Sequence, residues 1–176
     1  MKEPGRLPAV AIVGCKATSS KWCIDVEWMA REVGARASML GFVVITGGHS
    51  GVMEAAARGA REAGGFVVGI TTTELHRDGN RWCSIVLPSG MGIGRNNLTA
   101  LGCDVMVGLP GGLGTLQEMT FAIEHARPVL SWGSWAFGLG FGPEYASRLE
   151  HVADTSESGA ARVSAWLEHH RGGPTR

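Results

Sequence analysis

Twice along this chain a short apolar run stops at a cluster of glycines and a helix-periodic segment begins. The first instance passes from Phe42-Val43-Val44-Ile45 through Thr46-Gly47-Gly48-His49-Ser50-Gly51 into a small-residue helix over 52–63. The second passes from an apolar run at 104–109 through Pro110-Gly111-Gly112-Leu113-Gly114 into a helical pattern over 115–125. Each reads as strand, tight turn and helix, and the next parallel strand then requires a right-handed crossover. Further apolar runs at 7–13, 66–70, 84–87 and 128–130 read as strands. Helical spacing covers 21–40 and 91–102. Strands alternating with helices predict an α/β, Rossmann-like open parallel sheet flanked by helices. At 176 residues and 44% apolar content the chain fits one domain, 1–176, with the end at 171–176 frayed.

Three stretches carry weaker signals. In 52–63, Ala55, Ala56, Gly59 and Ala60 share a face and predict close helix–sheet contact. The segment 131–142 holds Trp132, Trp135, Phe137 and Phe141 among glycines, and reads either as packed surface or as a loop over the site. Beyond Pro143 the pattern predicts helix, broken near 156–159 and resumed over 160–169.

Sixteen basic and sixteen acidic residues cancel, which argues against nonspecific binding to nucleic acid or to an anionic membrane surface. No apolar run approaches the ~20 residues that span a bilayer. Residues 1–10 lack a signal-peptide core, so a cytoplasmic location is expected. The cysteines at 15, 23, 83 and 103 include no CxxC pair and read as buried, reduced thiols. The histidines form no i, i+4 pair. No metal site is expected.

Glycine lets a backbone approach a ligand with no Cβ in the way, and a helix starting there aims free N–H groups and a positive dipole end at the same point. The Pro110–Thr115 stretch is therefore a phosphate-site pattern. It is not a Walker A loop, since no Gly-Lys-Ser/Thr follows. It is not G-x-G-x-x-G either, since the third glycine would fall at Gln117. Gly48-His49-Ser50-Gly51 misses a nucleophile elbow by Val52. Both loops follow parallel strands, so both lie at the carboxyl edge of the sheet, where such folds bind ligands. One would hold phosphate while the other admits a sugar or base.

Thr46-Gly47-Gly48-x-x-Gly51-Val52-Met53 and Pro110-Gly111-Gly112-x-Gly114-Thr115-x-x-Glu118 resemble the paired signatures of the LOG family, and the spacing from Arg95 to Pro110 is similar too. The likeness covers roughly 9–130. It implies a Rossmann-like fold, usually dimeric. It also implies phosphoribohydrolase activity, which cuts the N-glycosidic bond of a nucleoside 5′-monophosphate to free base and ribose 5-phosphate, with no cofactor required. By the match, Arg95 and Glu118 would be the catalytic pair. Pro110, Gly111, Gly112, Gly114 and Thr115 would lie on the phosphate, with Gly47, Gly48, Gly51, Met53 and Asn96 completing the ligand contacts. One departure matters. Many LOG enzymes have Arg-Lys where this chain has Arg95-Asn96. Gly-Arg-Asn is more similar to a sister branch that includes molybdenum-cofactor carriers, which bind a phosphorylated pterin. The preferred expectation is the hydrolase; the alternative is a carrier or sensor of a phosphorylated ligand such as molybdenum cofactor.

The chemistry suits the residues. Ribosyl C–N cleavage passes through an oxocarbenium-like cation, which a carboxylate such as Glu118 can stabilise while it orients water. Arg95 can grip phosphate bidentately. Each has a plainer reading. Thr115-x-x-Glu118 is also a capping box, and an arginine after a glycine turn often sits in a solvated pair. The proton donor to the leaving base is open among Asp25, Glu27, His49 and Glu54. His49 reads as an exposed loop residue and Glu54 as a first-turn acid.

Overall fold

The computed structural model describes residues 5–136 and 142–172. Its seven strands form one sheet, every neighbouring pair parallel, in the order β4-β3-β2-β1-β5-β6-β7. In chain order these are β1 (Ala9–Val13), α1 (Ile24–Met39), β2 (Val43–Thr46), α2 (Val52–Glu62), β3 (Val67–Thr71), β4 (Ile85–Pro88), α3 (Arg95–Gly102), β5 (Val105–Gly108), α4 (Leu113–Glu124), β6 (Val129–Trp132), α5 (Pro143–Ala146), β7 (Leu149–Val152) and α6 (Glu157–His170). Single 3₁₀ turns sit at His76–Asp78 and Gly92–Gly94.

Strand periodicity explains the two layers. Val10 and Ile12 of β1 point into the cluster formed with α1, α2 and α6. Ala9, Ala11 and Val13 point the other way, into the cluster under α3 and α4. β1 is buried on both faces, so its sequence is uniformly apolar rather than alternating. Each fully buried valine or isoleucine contributes about 1.5–3 kcal/mol relative to an exposed one. Residues 52–63 make their closest approach to α1 rather than to the sheet. A Cβ on Gly34 would strike the Ala56 carbonyl, and one on Gly59 would lie 2.8 Å from the Arg31 backbone.

The region after β6 differs from the expectation. Helix is interrupted by a strand: α5 is a single turn, and β7 adds a parallel edge to the sheet with Leu149 opposite Val129. The break expected near 156–159 ends at Ser156, and the helix expected over 160–169 is present. It starts at Glu157, where the Ser156 hydroxyl accepts from Ser158 N at 3.2 Å. Gly159 lies inside it because a Cβ there would strike the Asp154 carbonyl, which accepts from Trp132 Nε1 at 2.6 Å. The thiols also divide. Cys15 and Cys103 are buried, Cys83 is half-buried, and Cys23 is exposed because it sits at the N-cap of α1 on the surface. Phe137, Phe141 and 173–176 lie outside the described residues.

Candidate functional site

The winding reverses once. From β1 the chain steps through β2, β3 and β4 to one edge, then returns to place β5 on the other side of β1. The carboxyl ends of β1 and β5 therefore flank the switch point, the place where open α/β sheets form a ligand crevice. Cys15 ties the two sides together. Its N–H donates to the Pro110 carbonyl at 3.0 Å, and its own carbonyl accepts from Val52 N at 3.0 Å.

The loop between β2 and α2 is filled. Gly47, Gly48 and Gly51 are buried. Gly48 N donates to Thr46 Oγ1 at 3.1 Å, and Asn80 N donates to the Gly48 carbonyl at 2.7 Å. Gly51 holds φ +74°, and a Cβ there would lie 2.6 Å from the Lys16 carbonyl carbon. A Cβ on Gly47 would lie 2.8 Å from Arg95 Nη2 and 2.5 Å from Met53 Sδ, and Met53 is itself buried. These glycines and Met53 serve the close packing of two loops and a guanidinium.

The loop between β5 and α4 is open. Gly112 is exposed, with nothing within 4 Å of a Cβ built on it. It is the N-cap of α4, and no side chain caps that end. The helix begins at Leu113, two residues before the expected Thr115, so no capping box forms. Thr115 is buried in the first turn with its side chain closed onto Gly111. The carboxylate of Glu118 turns instead to Arg95.

Arg95, the first residue of α3, and Glu118 on α4 are both buried, and Arg95 Nη1 donates to Glu118 Oε1 at 2.7 Å and to Thr99 Oγ1 at 3.1 Å. Burial lifts the Glu118 carboxyl to about 7, outweighing the Arg95 charge and the hydrogen bonds from Thr99 and Arg95 that lower it. Arg95 Nε is buried without a hydrogen-bond partner among the described residues. Asn96 donates through Nδ2 to Gln117 Oε1 at 2.8 Å and lies beside Gly114. His49 is not an exposed loop residue. It is half-buried, with Nε2 3.1 Å from Thr72 Oγ1, and burial followed by the charges of Lys16 and Arg95 holds its ring below the usual histidine range. Glu54 sits in the first turn of α2, and Asp25 and Glu27 in that of α1.

A cavity of about 420 Å³ opens beside the uncapped helix start, lined by Lys21, Pro110, Gly111, Gly133, Ser134, Trp135 and Ala136. Neither Arg95 nor Glu118 lines it. The motif residues thus separate into a buried cluster (Arg95, Glu118, Gly47, Met53) and a cavity wall (Pro110, Gly111). Lys21 carried no site reading in the sequence, whereas Trp135 lay in the 131–142 segment read either as packed surface or as a loop over the site, and it is both half-buried and part of the cavity wall. A larger cavity, about 600 Å³, lies at the opposite edge among Arg148, Arg162, Trp166, His169 and His170. It lies at the amino ends of β6 and β7, away from the carboxyl-edge loops where open α/β sheets bind ligands. Among the described residues no group of three or more His, Cys, Asp or Glu side chains could hold a metal ion, and no helix is long and apolar enough to cross a membrane.

The chain belongs to the SLOG cluster4 family. That family matches it over residues 7–160. An uncharacterised protein of Archaeoglobus fulgidus is 35% identical over 103 residues, 58% of this chain and 68% of the relative. The fold is similar to that of the molybdenum cofactor carrier protein of Chlamydomonas reinhardtii, at 28% identity and TM-score 0.74, covering 92% of this chain and 98% of that one. It is also similar to the molybdenum cofactor binding protein of Rippkaea orientalis, at 24% identity and TM-score 0.77, covering 93% and 98%. The open α/β sheet and the kinship to LOG-like proteins near the cofactor-carrier branch both stand.

Proposed function

We propose that this protein binds a phosphorylated heterocyclic small molecule, a nucleoside 5′-monophosphate or a phosphorylated pterin such as molybdenum cofactor, and holds it as a carrier in the cytoplasm. The observation that carries this is the 420 Å³ cavity at the switch point, whose wall includes Pro110 and Gly111 immediately before the uncapped start of α4. There the phosphate would meet the amides from Gly111 to Thr115. Asn96 beside Arg95, and the likeness in fold and sequence to the algal carrier, favour holding over cleavage. So does the Arg95–Glu118 pair, closed on itself away from the cavity wall. Calorimetry with AMP and with ribose 5-phosphate tests it. Micromolar binding of both is expected, and no binding of any phosphorylated compound would end the proposal.

Hydrolysis is the second reading, and one observation favours it. A carboxyl lifted to about 7 beside an arginine with an unspent Nε is suited to proton exchange at neutral pH. Incubation with mononucleotides and chromatography for free base decides between the two. If base appears, Glu118→Gln should abolish its release while circular dichroism stays unchanged. The implied dimer belongs to the same proposal. Ile93, Leu98, Leu101 and Leu113 are exposed on α3, the turn before it and the first turn of α4, apolar surface that a second copy would cover. Light scattering measures the assembly.

A further inference from the structure

The cavity has a wall that no motif accounts for. Segment 133–136 is pinned at three points. Gly133 N donates to the Val152 carbonyl at 2.9 Å, Ser134 Oγ to the Leu109 carbonyl at 2.8 Å, and Ser131 Oγ to the Trp135 carbonyl at 2.6 Å. Leu109 is the residue before Pro110, so the wall is held in register with the glycine turn rather than hanging over it. Trp135 is half-buried against the α4-side core. Its indole Nε1 is buried without a partner among the described residues. Lys21, from the loop after β1, lines the same cavity and places Nζ over the Trp135 ring, 5.7 Å from its centroid.

This composition selects a ligand. An indole offers a flat apolar face with a negative centre, suited to stacking a planar ring. An ammonium has three donors and no acceptor. A ring meeting this wall is recognised where it presents an acceptor, and opposed where it presents an amino group. A volume of about 420 Å³ lies within the roughly 300–1,000 Å³ of small-molecule sites.

On the reading of this cavity as a phosphate-ligand site, we infer that Lys21 and Trp135 form the ring subsite and select oxo-substituted heterocycles. The shared chemistry is a cyclic amide carbonyl beside a fused ring, as in guanine-type nucleoside monophosphates and in phosphorylated oxopterins. Trp135 stacks the ring and Lys21 donates to its carbonyl oxygen. A 6-aminopurine places an N–H₂ group where that oxygen would be.

Titration calorimetry on the full chain, with GMP, AMP, a 6-hydroxymethylpterin phosphate and ribose 5-phosphate, tests this. The oxo ligands should bind about tenfold tighter than AMP, since a hydrogen-bonding site discriminates against an analogue that leaves its donors unpaired. Whichever of GMP and the pterin binds more tightly identifies the source. Lys21→Met should erase the preference for oxo ligands, and Trp135→Leu should weaken every ring-bearing ligand about tenfold, in the range of base–aromatic stacking. Neither should move ribose 5-phosphate. Trp135→Phe keeps a stacking face and should restore most of the affinity, which separates loss of stacking from loss of fold. Equal binding of GMP and AMP to the unaltered protein would overturn the inference. So would proportional loss of GMP and ribose 5-phosphate in Lys21→Met, which would make Lys21 a general counter-charge. Either of these leaves the proposed function standing as long as ribose 5-phosphate binds. If none of the four ligands binds, the underlying reading falls with it.

Discussion

The two glycine turns follow strands in the same way and share a Gly-Gly pair, yet they differ in what fills the space at their tips. Turn 46–51 is closed. Its glycines are buried because the backbone of 15–17, the Arg95 guanidinium and Met53 occupy the space a Cβ would need. Turn 110–112 is open at its tip, where Gly112 meets nothing and begins an uncapped helix. A glycine motif therefore does not announce a ligand. What lies across from each Cα decides whether the missing Cβ admits protein or solute.

Substitutions sharpen that contrast. Gly51→Ala should cost about 3 kcal/mol, combining a left-handed backbone with a Cβ driven into the 15–17 backbone, which cannot rotate away. Denaturant unfolding measures it, and near-normal stability would mean the closed turn is soft. A second effect concerns pH. Folding raises the Glu118 carboxyl from 4.5 to about 7, so the folded state keeps a proton that the unfolded chain releases earlier. The contribution to stability is full below about 4.5 and is lost as pH climbs from there through 7, by about 3 kcal/mol for this group. Glu118→Gln should flatten that part of the slope between pH 5 and pH 8, and an unaltered slope would remove Glu118 as its source. Gly47→Ala presses on side-chain ends that can move, Arg95 Nη2 and Met53 Sδ, so about 1 kcal/mol is expected. Gly112→Ala should change stability by less than ~0.5 kcal/mol. Its signature is ligand affinity, reduced about tenfold in calorimetry because the added methyl stands where phosphate approaches. Loss of stability with affinity intact would reverse the roles assigned to the two turns.

The strands β1 to β6 were legible because both faces of most of them are buried, which makes their sequences continuously apolar. β7 was not. As an edge strand it turns Val152 inward while Glu150 and His151 stay exposed, and four residues of that composition resemble a helix fragment. Gly159 misled for a related reason. Glycine marks a break only when conformation requires it, and here it makes room for the Asp154 carbonyl beside Trp132. At the site, Arg95 and Glu118 were named together only through the family resemblance, and the structure brings their side chains into contact. The capping pattern at Thr115 and Glu118 pointed to a local bond that loses to a charge-assisted one. Lys21 carries no local signature, and the aromatic-rich stretch around Trp135 did not distinguish packing from a place over the site, because both become informative only when the parallel sheet brings the loops after β1 and β6 together.

Cys15 spends its amide on one side of the crevice and its carbonyl on the other. It works as a rivet whose two heads sit in different halves of the molecule. An insertion or deletion at 14–16 would shear both glycine turns out of register together, so the length of that short span is constrained by geometry whatever its side chains. From Ala17 to Cys23 no such double attachment exists. Diversification of ligand choice among proteins built this way has its freest ground in those seven positions, Lys21 among them.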